Sequence, residues 1–96
     1  MRVRNINGTS QTTCKCGSWL QHWKNFSKVP LGSTCYELSC TGKPELGAHV
    51  QKDTSSDMNW YIVPLCTYHN NLKGQAIDLK SSAVLVSANK KETCEK

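Results

Sequence analysis

A chain of 96 residues with a formal net charge of +5, six cysteines and three histidines has length for one small domain, which leaves over a third of its unfolded surface in water and needs a staple. No apolar run approaches the roughly 20 residues of a membrane span, which excludes a helical membrane protein. The opening Met1-Arg2-Val3-Arg4-Asn5-Ile6-Asn7 has no apolar core of the kind a secretory signal carries, so the expected compartment is the cytoplasm. Thiols stay reduced there, and cysteines grouped with histidines then favour metal over disulfides.

Residues 1–13 show little periodicity and are expected to form an extended lead-in. Cys14-Lys15-Cys16-Gly17 follows. Ser18 is a good N-cap, and Trp19, Trp23 and Phe26 fall at i, i+4 and i+7, which predicts a short amphipathic helix with an aromatic stripe. His22 shares that face and is either a metal ligand or a packed core histidine. Ser27 to Ser33, with Pro30 and Gly32, is a loop leading to Cys35 and Cys40. Tyr36 and Leu38 alternate with polar residues there, as in a short hairpin.

Gly47 to Gln51 is expected to be a strand and Lys52 to Asn59 an exposed polar loop. Trp60 to Leu65 is a mostly apolar run of strand length ending at Pro64. A helix is expected from Cys66 to near Gly74, a natural residue just past a helix end. Ala76–Leu79 and Ala83–Val86 are further short strand candidates, and residues 89–96 a charged tail.

Two sets of metal ligands emerge. Cys66 and His69 are one helical turn apart, and Cys35 and Cys40 frame a knuckle closed by Gly42 and Pro44. Together they make a tetrahedral, closed Cys3His set suited to structural Zn2+. Cys94, otherwise stranded in the tail, is the natural partner for Cys14, Cys16 and His22 in a second zinc set. Zinc-bound thiolates would lower the working charge to about +3 to +4. Arg2, Arg4, Lys15, Lys24 and Lys28 all precede Glu37, the first acidic residue. That acid-free third is either a face for phosphates or an ordinary solvated surface. No Gly-rich phosphate loop or serine nucleophile elbow is present, and the C-x-C spacing is not that of a thioredoxin-type site.

The succession of knuckle, hairpin and ligand-bearing helix resembles the treble-clef zinc proteins, in particular the HNH group with its ββα-metal unit and its small bacterial members. The resemblance covers roughly residues 35–74. It implies an α+β, treble-clef, HNH-like domain over 1–96, with a β-hairpin and short helices. Ala48-His49-Val50 is similar to the first HNH strand, which makes His49 the general base of a metal-dependent nuclease. Asn70 takes the third motif position and Asn59 is nearest to the middle one. Mg2+ or another divalent ion would be held by Asn70 with Asp53, Asp57 or Asn59, on a DNA or RNA substrate. The chain departs from the pattern at Ala48, where many members have an acidic ligand, at Asn70 in place of histidine, and in the spacing of Asn59. The alternative is a non-catalytic zinc module that binds nucleic acid or protein.

Overall fold

A computed structural model describes residues 1–6, 15–53, 56–89 and 93. Its strands are β1 (Arg2–Asn5), β2 (Leu46–Lys52), β3 (Tyr61–Leu65), β4 (Ala76–Asp78) and β5 (Val86–Ser87), and its helices are α1 (Trp19–Phe26) and α2 (Thr67–Asn70). The strands form one antiparallel sheet in the order β4-β1-β2-β3-β5. The chain is thus an α+β domain built around the β2–β3 hairpin, which pairs Leu46 with Leu65 through Val50 with Tyr61.

The start of the lead-in is a strand inside the sheet, because Arg2-Val3-Arg4-Asn5 alternates exposed and buried side chains and pairs with β2 on one side and β4 on the other. The outward arginines are each neutralised: Arg2 Nε lies 2.8 Å from Asp78 Oδ1 and Arg4 Nη2 lies 3.0 Å from Asp53 Oδ1.

Strand alternation divides the sheet into two faces. The pairings put Val3, Asn5, Ala48, Val50, Val63 and Ile77 on one face, and Gly47, His49 and Ile62 on the other. Helix α1 covers the second face. Ser18 caps it by accepting the Gln21 N–H, as its sequence promised. Trp23 and His22 are fully buried there, whereas Phe26 stays 37% exposed, so the inward stripe centres on His22 and Trp23. The Trp23 indole donates to the Val84 carbonyl at 2.7 Å. The helix approaches β2 at Gly47, where a Cβ would sit 2.4 Å from the Trp19 carbonyl carbon and 2.6 Å from the Leu20 nitrogen. Glycine is needed there by close packing of backbone on backbone.

Three predicted elements are shorter than expected. The helix after Cys66 has a single turn, and the Asn71 N–H is shared among the carbonyls of Thr67, Tyr68 and His69. Gly74, at φ 75°, ends the following turn. Residues 83–85 do not join the sheet; the pairing begins at Val86. The segment between Cys35 and Cys40 forms a bridge from Glu37 to Leu79 and a turn, with no internal hairpin. Among the described residues no helix is long and apolar enough to cross a membrane.

Candidate metal centre

The knuckle is shaped by hydrogen bonds that bring two thiols to one point. Cys35 N–H donates to Gly42 O at 2.7 Å, and Cys40 N–H to Glu37 O at 3.2 Å. The Glu37 carboxylate accepts from Ser39 N–H at 2.8 Å, and Gly42 N–H points at Cys40 Sγ at 3.3 Å. Backbone bonds from Tyr36 to Pro64 O and from Leu38 to Asp78 O fasten this loop to β3 and β4.

The other two ligands come from the turn after β3. Cys66 is the N-cap of α2, and its sulfur accepts the His69 N–H at 3.5 Å. The far end of this turn is held by Asn5, buried in β1, whose amide donates to His69 O at 2.7 Å and Leu72 O at 3.0 Å. Both carbonyls also accept local backbone N–H groups, His69 O from Leu72 at 3.2 Å and Leu72 O from Gln75 at 3.3 Å, so Asn5 adds a further bond at each.

The four ligand atoms of Cys35, Cys40, Cys66 and His69 lie within 4.8 Å of one another. Cys40 Sγ is 3.8 Å from Cys66 Sγ, and His69 Nδ1 is 3.2 Å from Cys66 Sγ and 3.8 Å from Cys35 Sγ. A tetrahedral zinc with ordinary bond lengths separates two thiolates by about 3.8 Å and a thiolate from an imidazole nitrogen by about 3.6 Å. The Cys40–Cys66 separation is far beyond the roughly 2.05 Å of a disulfide. Three soft sulfurs, one imidazole and no carboxylate favour zinc over calcium or magnesium.

The thiols differ in ways a cation would level. Burial pushes the Cys35 thiol up to about 11. At Cys66 burial also pushes up, but it is outweighed by hydrogen bonds from the His69 backbone and imidazole and from the neighbouring thiols, which bring the group down to about 7. A buried thiol at about 11 ionises at neutral pH only against a bound cation, so metal binding here releases protons.

The Lys80 ammonium was not legible as a site residue. It donates to Thr34 Oγ1 and Cys35 O, both at 2.6 Å, and to Cys40 O at 2.9 Å. No sequence signal distinguishes it from the other lysines, because it lies 40 residues from Cys40 along the chain.

The residues of the second zinc set are described in part. Cys16 Sγ is 3.8 Å from His22 Nδ1, and His22 Nε2 is 2.8 Å from Ser87 O. A carbonyl only accepts, so Nε2 donates to it and Nδ1 faces the thiol. Cys14 and Cys94 lie outside the described residues.

The residues carried over from the HNH resemblance are dispersed. His49 is 7% exposed, with its ring 4.6 Å from Trp19 and 6.0 Å from Trp60. Burial, assisted by the charges of Lys73 and His22, lowers its pKa to about 4. Asn70 is on α2, which Asn5 holds on the sheet face opposite to His49. Asn59 donates from its backbone and side chain to Asp57 Oδ1 at 3.0 and 2.9 Å. Asp57 also accepts from Tyr61 at 2.6 Å and faces Lys52 at 3.4 Å, so hydrogen bonds, chiefly from Tyr61, draw its carboxyl down to about 2. Asp53 is engaged by Arg4. No family model, curated protein or solved structure matches this chain, and the metal centre stands on its own geometry.

Proposed function

We propose that the chain is a zinc-stabilised module of treble-clef form whose Cys3His centre is structural, and that it acts by binding a partner rather than by catalysis. The observation that carries this reading is the convergence of four protein ligands on one point. Such a set fills a tetrahedral shell and leaves no position for a substrate or an activated water. The centre joins the knuckle, the end of β3 and α2. The Cys16–His22 pair supports a second zinc, because its sulfur-to-nitrogen separation matches that of Cys35 and His69.

The partner best suited to the exposed cations is a nucleic acid. Arg2 and Arg4 are paired with acids, but Lys15, Lys24 and Lys28 on and beside α1 are exposed, and among the described residues no ion pair engages them. The nuclease reading is favoured by one feature, a neutral His49 imidazole. It requires that imidazole to reach a water from between two tryptophans and a metal to displace the partners of Asp53 or Asp57, which makes the binding module the stronger account.

A plasmid-nicking assay with Mg2+ or Mn2+, run beside a binding titration at several salt concentrations, separates these readings. Binding that weakens steeply with salt and brings no cleavage is the expected result. Metal-dependent nicking that disappears in His49→Ala would establish the enzyme, and the absence of both would leave a protein partner.

A further inference from the structure

The three acceptors of Lys80 are unusual in what they join. A lysine ammonium has three donors, and here all three are used on the knuckle: one on Thr34, just before the first ligand, one on the carbonyl of Cys35 and one on the carbonyl of Cys40. The backbone around the lysine is fixed from both sides. Lys80 N–H donates to Tyr36 O at 2.9 Å, Ala83 N–H donates to Lys80 O at 3.0 Å, and Leu79 bridges Glu37. The side chain therefore enters the knuckle from an anchored segment and ties its two cysteine residues to one cation.

The charge matches as well. Zn2+ with three thiolates and a neutral histidine carries one surplus negative charge, and among the described residues no other cation hydrogen-bonds the knuckle. A cation in a partly buried position is screened less than one at the surface, so its attraction to the loaded centre is larger there.

We infer that Lys80 is a positioning residue of the metal centre: its ammonium clamps Cys35 and Cys40 at ligating separation and balances the charge of the loaded site, so that zinc retention, and not only loop stability, depends on it. The inference rests on the Cys3His zinc reading. Partners outside the ligand shell of this kind typically account for a 10–100-fold change in metal affinity.

The test is competition for zinc between a chelator and the full chain, comparing wild type, Lys80→Met and, as a control for simple charge removal, Lys24→Met on the exposed side of α1. Lys80→Met is expected to bind zinc about 10–100-fold more weakly and to release it faster well below its unfolding temperature, with Lys24→Met unchanged. A merely structural lysine would leave the release rate of the folded protein where it was. If zinc-loaded Lys80→Met does not fold, Lys80→Arg decides. It keeps the charge, but a planar guanidinium cannot direct three donors at the same three acceptors, and a loss of about threefold or more is expected. Affinities within about twofold of wild type for the variant that decides, or an equal loss in Lys24→Met, overturn the clamp. Wild-type protein that binds no stoichiometric zinc would instead refute the metal centre itself.

Discussion

His49 offers the sharpest test of how this molecule uses its histidines. Burial first, and then the charges of Lys73 and His22, lowers its pKa from 6.5 to about 4. The sign follows from linkage. A histidine that is harder to protonate when folded binds more protons in the unfolded chain, so its stabilising effect is complete above about pH 6.5 and is lost as pH falls towards 4. At pH 5 the full shift corresponds to about 2 kcal/mol, reduced to about 1–2 kcal/mol for partial screening by solvent. Imidazole chemical shifts of the zinc-loaded protein report the midpoint directly. Urea unfolding of wild type and His49→Phe at pH 7.5 and 5 reports the energy, the difference cancelling the protonation of metal ligands common to both. The variant is expected to lose less stability than wild type over that interval. A His49 midpoint between 6 and 7, or equal losses in the two proteins, would refute burial as the dominant influence and would return His49 to the list of accessible bases.

Two further outcomes follow from packing. Gly47→Ala places a methyl 2.4 Å from the backbone of α1 and is expected to cost about 2–3 kcal/mol, lowering the melting temperature by roughly 10–20 °C. Zinc occupancy of the Cys3His centre at low temperature should be unchanged, because α1 covers the face opposite α2. Asn5→Ala removes the donors to His69 O and Leu72 O; a loss of about 1–3 kcal/mol is expected, together with faster amide exchange over residues 69–74 and faster zinc release.

What the sequence disclosed follows from how local each signal is. The Cys66–His69 pair was legible because coordination by one helical turn imposes its spacing, and the knuckle because the bonds that shape its turn, Cys35 N–H to Gly42 O and Cys40 N–H to Glu37 O, are local. The β2–β3 hairpin was legible from the apolar run Trp60 to Leu65, which follows the strand candidate Gly47 to Gln51 across a polar loop. Strand β1 escaped notice because four residues with two arginines carry too short an alternation, and its place between β4 and β2 is set by partners about 50 and 75 residues away. The helix after Cys66 is shorter than Gly74 suggests, because that glycine ends a turn that follows the helix. Asn70 and Asn71 are poor helix formers that let the hydrogen bonds tighten first. The HNH resemblance aligned His49 and Asn70 along the chain, but strand alternation and the attachment of α2 to Asn5 place them on opposite faces of the sheet, a three-dimensional consequence that no linear motif expresses. Lys80 and Asn5 were silent for the same reason, since each acts on the metal centre across a long sequence separation.

The zinc reading has two parts: one Cys3His set holds the ion, and the fold depends on it. X-ray absorption at the zinc edge of the reconstituted protein tests it most directly. Three sulfurs at about 2.3 Å and one nitrogen at about 2.0–2.1 Å are expected, a shell that Cys66→Ser would empty together with the amide dispersion of residues 35–74. A shell of oxygen and nitrogen, or a fully dispersed spectrum from metal-free protein, would contradict it.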